Sequence, residues 1–345
     1  QAFENYFYFV NNKFMKYILI GGSGFIGQHF FKRLENKIVL NLDIDSGINN
    51  IEFEYCDILN YSDLESINLS KWSELTVIHL AAVHFDFQTT FYETNVNGTR
   101  NVLKFLSIHD NIKKYVFFSS VATYGDSEIG KDENSLQTPN NDYGKSKLEA
   151  EKLIKSWHNT NQEIQTIIIR PAVVFGEFNF GNVFNLFQQI RSKMFAIIGN
   201  GENIKSIAYS GNIIDSVMFS LEYISDSLFI YNYCDYPQKN ISEQSNLISS
   251  LLGYNKPLKV TFWITKFITI PIDLLEKLLK IDLKINSMRV KKFTTPTYFI
   301  ADKIRNKGYK QNISIKKAFL KTNLWIGSVD INSLRKIWLN KASKK

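Results

Sequence analysis

At 345 residues, 44% hydrophobic and free of low-complexity tracts, the chain holds enough apolar material for one large or two modest packed domains, which argues against disorder. Two cysteines, Cys56 and Cys234, lie far apart without metal-ligand spacing; reduced thiols of a cytoplasmic protein are expected, with neither a disulfide framework nor a zinc site. The net charge of +8 comes with no nucleic-acid-binding motif, so nucleic acid is not an expected partner and no metal is called for.

Residues 1–14 are aromatic-rich and carry only Glu4 and Lys13; they lack the basic start of a signal peptide and read as a leader or extension ahead of Met15. Lys16 to Ile20 is a predicted strand that runs into Gly21-Gly22-Ser23-Gly24-Phe25-Ile26-Gly27. Glycines at 21, 24 and 27 provide a tight turn, a close backbone approach and close helix packing, while the helix that follows offers amides to a pyrophosphate. Gly21, Gly24, Phe25, Ile26 and Gly27 are therefore candidate cofactor contacts. The strand Ile38 to Leu42 ends in Asp43, sixteen residues after Gly27. A carboxylate there can accept hydrogen bonds from an adenosine ribose and would repel a 2′-phosphate, which favours NAD over NADP; Asp45 is the rival assignment. After the strand Ile51 to Tyr55, Asp57 and Ile58 are expected beside the adenine, with capping of the 59–66 helical region as the plainer role for Asp57.

Further short apolar runs at Thr76 to Leu80, Tyr115 to Phe118 and Thr166 to Ile169 alternate with amphipathic helical patterns. This rhythm predicts an α/β fold: a Rossmann doubly wound parallel sheet with ligands at the carboxyl ends of its strands, and a smaller C-terminal substrate-binding lobe. The expected division is an NAD-binding domain over 15–175 and a lobe over 176–345, with segments around 207–235 returning to the core.

The chemistry concentrates after Tyr115 to Phe118. That strand leads into Ser119 and Ser120 at the carboxyl edge of the sheet, where a serine can orient a substrate hydroxyl or carbonyl. Tyr143 and Lys147 stand four residues apart at the head of a predicted helix, so phenol and ammonium project from one face and the cation can hold the phenol partly ionised near neutral pH. Oxidation of a secondary alcohol needs a base for the O–H proton while the hydride leaves carbon; Tyr143, Lys147 and Ser120 supply base, pKa depressant and orienting donor. A Tyr-x-x-x-Lys alone carries little information. Its conjunction with the glycine loop, Asp43 and the Ser-Ser strand end carries the reading.

Beyond Gly176 the rhythm loosens, with a turn at Gly199-Asn200-Gly201 and a boundary at Tyr236-Pro237. Between Lys256 and Lys292 nine cations face three anions, a net of +6 interleaved with Phe262, Trp263 and further apolar residues. No charge-free apolar run here reaches bilayer-spanning length; the tract, 258–292, either lies on a membrane surface or packs in a core or dimer contact.

The chain resembles the extended short-chain dehydrogenase/reductases, the NAD-dependent epimerase/dehydratase family, from about Met15 to the C-terminus. Its marks are the glycine loop, His79-Leu80-Ala81-Ala82, Asn95-Val96-Asn97-Gly98-Thr99, Ser119-Ser120 through Tyr124-Gly125, Tyr143 to Lys147, and Arg170-Pro171 through Phe175-Gly176. The resemblance implies that Ser120, Tyr143 and Lys147 are catalytic, that Leu80, Ala81, Ala82 and Pro171 line the NAD site with Asn95 near it, and that the enzyme is a dimer through helices near 90–107 and 143–158. Family dehydratases carry an Asp-Glu pair after the catalytic hydroxyl residue, where this chain has Val121-Ala122, so dehydration is disfavoured. Asp43 opposes exchangeable NADPH, which leaves a bound NAD that is reduced and reoxidised within one turnover.

Gly176 to Leu186, Ile198 to Tyr209 and Ser287 to Phe293 are similar to a branch associated with O-antigen sugar synthesis, which epimerises N-acetylglucosamine at C4 on a polyprenyl diphosphate. That likeness implies a diphosphate-linked sugar as substrate, with Asn182, Val183, Lys205 and Arg289 as candidate contacts and His84 facing the pocket. Each could equally be a surface charge or a loop residue. It also favours a place at the inner face of the cytoplasmic membrane, and leaves a UDP-linked sugar or a net ketosugar reductase as alternatives.

Overall fold

The computed structural model describes residues 16–34, 37–47, 51–83, 91–265 and 287–330. The expectations for residues 1–14, His84 and Lys266 to Asn286 fall outside the described residues. The first half alternates as expected: β1 (Lys16–Ile20), α1 (Phe25–Leu34), β2 (Ile38–Asp43), β3 (Phe53–Tyr55), α2 (Tyr61–Glu65), β4 (Leu75–His79), a π-turn over Glu93–Gly98 leading into α3 (Thr99–Leu106), and β5 (Ile112–Phe118). There follow β6 (Ser127–Lys131), α4 (Asp142–His158), β7 (Gln165–Pro171) and β8 (Val173–Phe175). The rest comprises α5 (Asn182–Arg191), β9 (Ala196–Ile198), β10 (Ile207–Tyr209), α6 (Ser210–Tyr223), β11 (Leu228–Tyr233), α7 (Ile241–Leu251), β12 (Leu258–Val260), α8 (Ser287–Thr294), β13 (Thr297–Phe299), α9 (Asp302–Asn306) and α10 (Ile315–Ser328).

Seven strands form one parallel sheet in the order β11-β7-β5-β4-β1-β2-β3. Apolar alternation shows why both faces are covered. Tyr17 and Leu19 join one core cluster while Ile18 and Ile20 join the other, and in β5 Val116 and Phe118 oppose Tyr115 and Phe117 in the same way. Strands buried on both sides read as continuous apolar runs, which is how the sequence announced them. β11, supplied from far along the chain, adds the edge next to β7, and α6 packs against α1.

Register fixes the site. Ile20 pairs with both Leu42 and His79, His79 with Phe117, and Phe118 with Ile169, so the carboxyl ends of β1, β2, β4, β5 and β7 are level. The strand order reverses at β1, between β4 and β2, which opens the crevice where doubly wound sheets bind ligands. A third core, rich in Phe175, Phe180, Phe184, Phe187, Phe319 and Trp325, is built by α5, α7 and α10 over three two-stranded pairings, β8 with β10, β9 with β12 and β6 with β13.

Candidate active site

The glycine loop leaves β1 at that crevice. Gly21 has φ +82, and a Cβ there would lie 2.4 Å from the Ala81 amide nitrogen, so the turn and its contact with the β4 end both require glycine. Gly24 differs: an added Cβ would meet nothing nearer than the Gly21 carbonyl at 3.4 Å. The protein's own packing does not demand glycine at 24, which fits a ligand that must come close to this backbone at a helix N-terminus. Phe25, Ile26 and Gly27 open α1 behind the loop. Asp43 sits at the end of β2, where Oδ2 accepts from the Ser23 amide at 2.9 Å and Oδ1 from the Asp45 amide at 3.2 Å. The carboxylate thus braces the loop at the position expected for a ribose partner. These residues fit NAD.

Around them, Leu80 and Ala81 donate their amides to the Ile20 carbonyl at 2.7 and 2.9 Å, and Ala82 follows at the crevice. Asp57 accepts from the Leu59 amide at 2.9 Å in the turn before α2, whose cap is Asn60 and not Asp57 as the plainer expectation had it, and Ile58 is buried against Gly98. Asn95 is fully enclosed. Its carbonyl oxygen accepts from the Val83 amide at 2.9 Å and its amide donates to Ser146 Oγ at 2.9 Å, one turn from Tyr143. It therefore acts on the site by clamping α4. Pro171 ends β7 opposite Tyr233.

On the catalytic side, Ser120 caps a short 3-10 turn over Val121–Tyr124, its Oγ accepting from the Ala122 amide at 3.1 Å. α4 starts at the Asn141 cap, whose side chain accepts from the Gly144 amide at 2.8 Å. A Cβ at Gly144 would lie 2.4 Å from the Ala122 carbonyl oxygen, so glycine lets the helix that carries Tyr143 press onto the Ser120 turn. Tyr143 is hydrogen-bonded with Ser120 and packs edge-on to Phe91 at 6.0 Å between ring centroids. The Lys147 ammonium lies 4.5 Å from the centre of the Phe117 ring. Ser120 and Tyr143 thus meet directly, and Lys147 stands one helical turn beyond Tyr143 on α4.

Their electrostatics differ from the simple expectation. Burial pushes the Tyr143 phenol up to about 12, against the hydrogen bond with Ser120 that lowers it. Burial also pushes Lys147 down to about 7, against the pull of Glu151, so at neutral pH its cation is only partly present. Desolvation is the largest cause of both shifts, where the sequence had put the phenol–ammonium attraction first. Beside them His79 is neutral, lowered to about 3 by burial and then by Lys147, with Nδ1 2.8 Å from the Tyr115 hydroxyl.

In the lobe the candidates scatter. Asn182 opens α5 exposed, while the Val183 side chain is in the third core, which leaves only its backbone for a ligand. Lys205 donates to the Thr295 carbonyl at 2.5 Å. Arg289 lies on α8. Of the basic tract, β12 pairs with β9, and Leu258, Phe262, Trp263 and Ile264 are exposed. Among the described residues no helix is long and apolar enough to cross a membrane. Cys56 and Cys234 are free and buried thiols, both raised by burial.

Sequence reasoning missed a buried group at the back of the site. Glu151, two turns after Tyr143 on the same face of α4, is gripped by Arg170 through Nε–Oε1 at 2.8 Å and Nη2–Oε2 at 2.5 Å. The signal was available: Tyr143, Lys147 and Glu151 recur every four residues, the spacing of one helix face.

Known proteins agree with this geometry. The family model described as NAD dependent epimerase/dehydratase family matches residues 17–232. The N-acetyl-alpha-D-glucosaminyl-diphospho-ditrans,octacis-undecaprenol 4-epimerase of Escherichia coli O157:H7 is 35% identical over 299 residues, 85% of this chain and 89% of that protein. UDP-glucose 4-epimerase 2 of Oryza sativa subsp. japonica is 27% identical over 61% of this chain and 62% of its own length. Among solved structures, UDP-glucuronic acid 4-epimerase from Bacillus cereus in complex with NAD matches with TM-score 0.69 at 20% identity, over 91% of this chain and 99% of that one, a likeness of fold. The chain belongs to the NAD-dependent epimerase/dehydratase family and is an NAD-dependent epimerase.

Proposed function

We propose that the chain is a sugar 4-epimerase that interconverts N-acetylglucosamine and N-acetylgalactosamine on a polyprenyl diphosphate, in surface-polysaccharide synthesis. The observation that carries the chemistry is Tyr143, hydrogen-bonded with Ser120 at the carboxyl end of β5 and followed one turn later by Lys147. The substrate rests on the 35% identity to the Escherichia coli enzyme across most of both chains.

The glycine loop, Asp43 and the ends of β4 and β7 would hold NAD, which would supply a hydride acceptor and donor for C4. Tyr143 takes the O4 proton as the C4 hydride leaves, Ser120 orients the oxygen, and the phenol gives the proton back when the 4-ketosugar has turned over in the pocket. Lys147, where charged, favours the phenolate. Val121 packs in the core and the Ala122 amide bonds Ser120, so these two positions offer no acid or base for removing a C6 hydroxyl.

Lys205 and the N-terminus of α5 are read as diphosphate and sugar contacts. Exposed Leu258, Phe262, Trp263 and Ile264 beside exposed Lys256 and Lys259 support contact with the anionic inner face of the cytoplasmic membrane. α3 and α4 are read as the surface of a homodimer. A UDP-linked sugar is the second reading, favoured by the identity to the rice UDP-glucose enzyme. Purified protein offered polyprenyl-diphosphate N-acetylglucosamine and UDP-N-acetylglucosamine without added reductant separates them: turnover of the lipid form supports the proposal, and turnover of the UDP form alone replaces it.

A further inference from the structure

Lys147 is buried among groups that act on its charge in opposite directions. Burial beside the neutral His79 imidazole of β4 drives the ammonium toward the amine, while the Phe117 ring of β5, 4.5 Å away at its centre, makes a cation–π contact that favours the cation. The formal counter-charge that opposes burial is Glu151, one turn further along α4 and itself 0% exposed.

Glu151 is held by partners from several elements. Besides the two bonds from Arg170 of β7, Ser119 Oγ donates to Oε1 at 2.5 Å, Gln137 Nε2 to Oε2 at 3.3 Å, and the Lys155 ammonium stands 3.7 Å from Oε2. Arg170 in turn donates to the Tyr124 hydroxyl at 2.5 Å, which donates to Asn232 at 2.9 Å. A buried ion pair costs several kcal/mol per ion in desolvation, and apolar residues of similar volume often replace one without loss of stability, so packing alone gives no reason for a carboxylate here. Its placement gives one. Glu151 binds Ser119, the neighbour of Ser120, and shares a helix face with Tyr143 and Lys147.

We propose that Glu151, oriented by Arg170, is a positioning residue that supplies the counter-charge for Lys147 and ties the Ser119-Ser120 strand end to the helix that carries Tyr143. This deepens the reading of Tyr143 as base and Lys147 as its partner, and rests on it.

Glu151→Gln keeps the shape and removes the charge. Because it strands Arg170 as an unpaired buried cation, a second variant carries Arg170→Met in addition. Two measurements apply to both: phenolate ultraviolet absorbance of the NAD-loaded protein against pH, with matching Tyr143→Phe proteins as blanks, and kcat and KM against pH. The expected result is that the Tyr143 transition moves up and the high-pH limb of kcat moves down by roughly one pH unit, tenfold in Lys147 ionisation, with KM changed less than about twofold. Unmoved titrations in a folded variant, or failure of both variants to fold, overturn the proposal and leave the pair a structural strut. The absorbance titration needs no sugar, so a wild-type protein inactive on both substrates would overturn the substrate reading while this test still reports.

Discussion

The two sides of the cleft are built differently. On the NAD side, functional groups are fixed by the backbone that surrounds them: Asp43 by the Ser23 and Asp45 amides, Asn95 by Val83, Ser120 by Ala122, and Tyr143 by a helix cap and the clamp at Ser146. On the lobe side Lys205 holds a carbonyl of its own lobe, Val183 is core, and the apolar residues around Trp263 are exposed. Reaction chemistry tolerates little misplacement, so its parts are pinned by buried networks; recognition of a diphosphate can rest on longer and more adaptable side chains.

The comparison breaks most readily at the base. Tyr143→Phe should lower kcat by about 10²- to 10⁴-fold with NAD still bound, because the phenol is the proton acceptor and does not hold the loop; full activity would dismiss the mechanism. Gly21→Ala should come next, costing more than about 2 kcal/mol through a strained φ and the Ala81 contact, read as lost NAD content and a lower melting temperature.

The pH dependence follows from Lys147, whose pKa falls from its ordinary 10.5 to about 7 on folding. Between those values the unfolded chain binds more protons than the folded one, so this group's contribution to stability rises with pH, by at most about 1.4 kcal/mol per unit. Below pH ~7 the full burial penalty remains. Subtracting the denaturation profile of Lys147→Met from that of the wild type isolates this slope; a flat difference would mean that the ammonium is not desolvated.

Smaller effects probe the lobe. Lys205→Met should raise KM roughly tenfold, ~1.4 kcal/mol, with kcat nearly unchanged; a drop in thermal stability with unchanged KM would confine Lys205 to bracing Thr295. Arg33→Ala, which removes an exposed pair with Asp215 between α1 and α6, should change stability by less than about 1 kcal/mol.

Most of the sheet was legible because strands covered on both faces declare themselves as apolar runs, and the loop because its glycines answer to a turn and a ligand. β1 matches its expected bounds, and β4 and β7 differ from theirs by a residue or two. Less legible was whatever depends on burial. That Tyr143 and Lys147 share a face follows from their spacing; that desolvation would push the phenol up and the ammonium down does not, since it depends on Phe91, Phe117 and His79 packing around them from other elements. Glu151 could have been placed on that face, whereas its grip by Arg170 depends on β7 lying beside β5. The lobe was hardest, because short strands such as β8, β9 and β12 carry three residues each and pair across long stretches of chain.

The most direct test of the account uses diphosphate-linked N-acetylglucosamine deuterated at C4. Hydride that leaves for bound NAD and returns within one turnover should keep the label at C4 of the N-acetylgalactosamine product, with no added cofactor consumed. Loss of the label to water, or product formed only as added NADH or NADPH is used up, would contradict it.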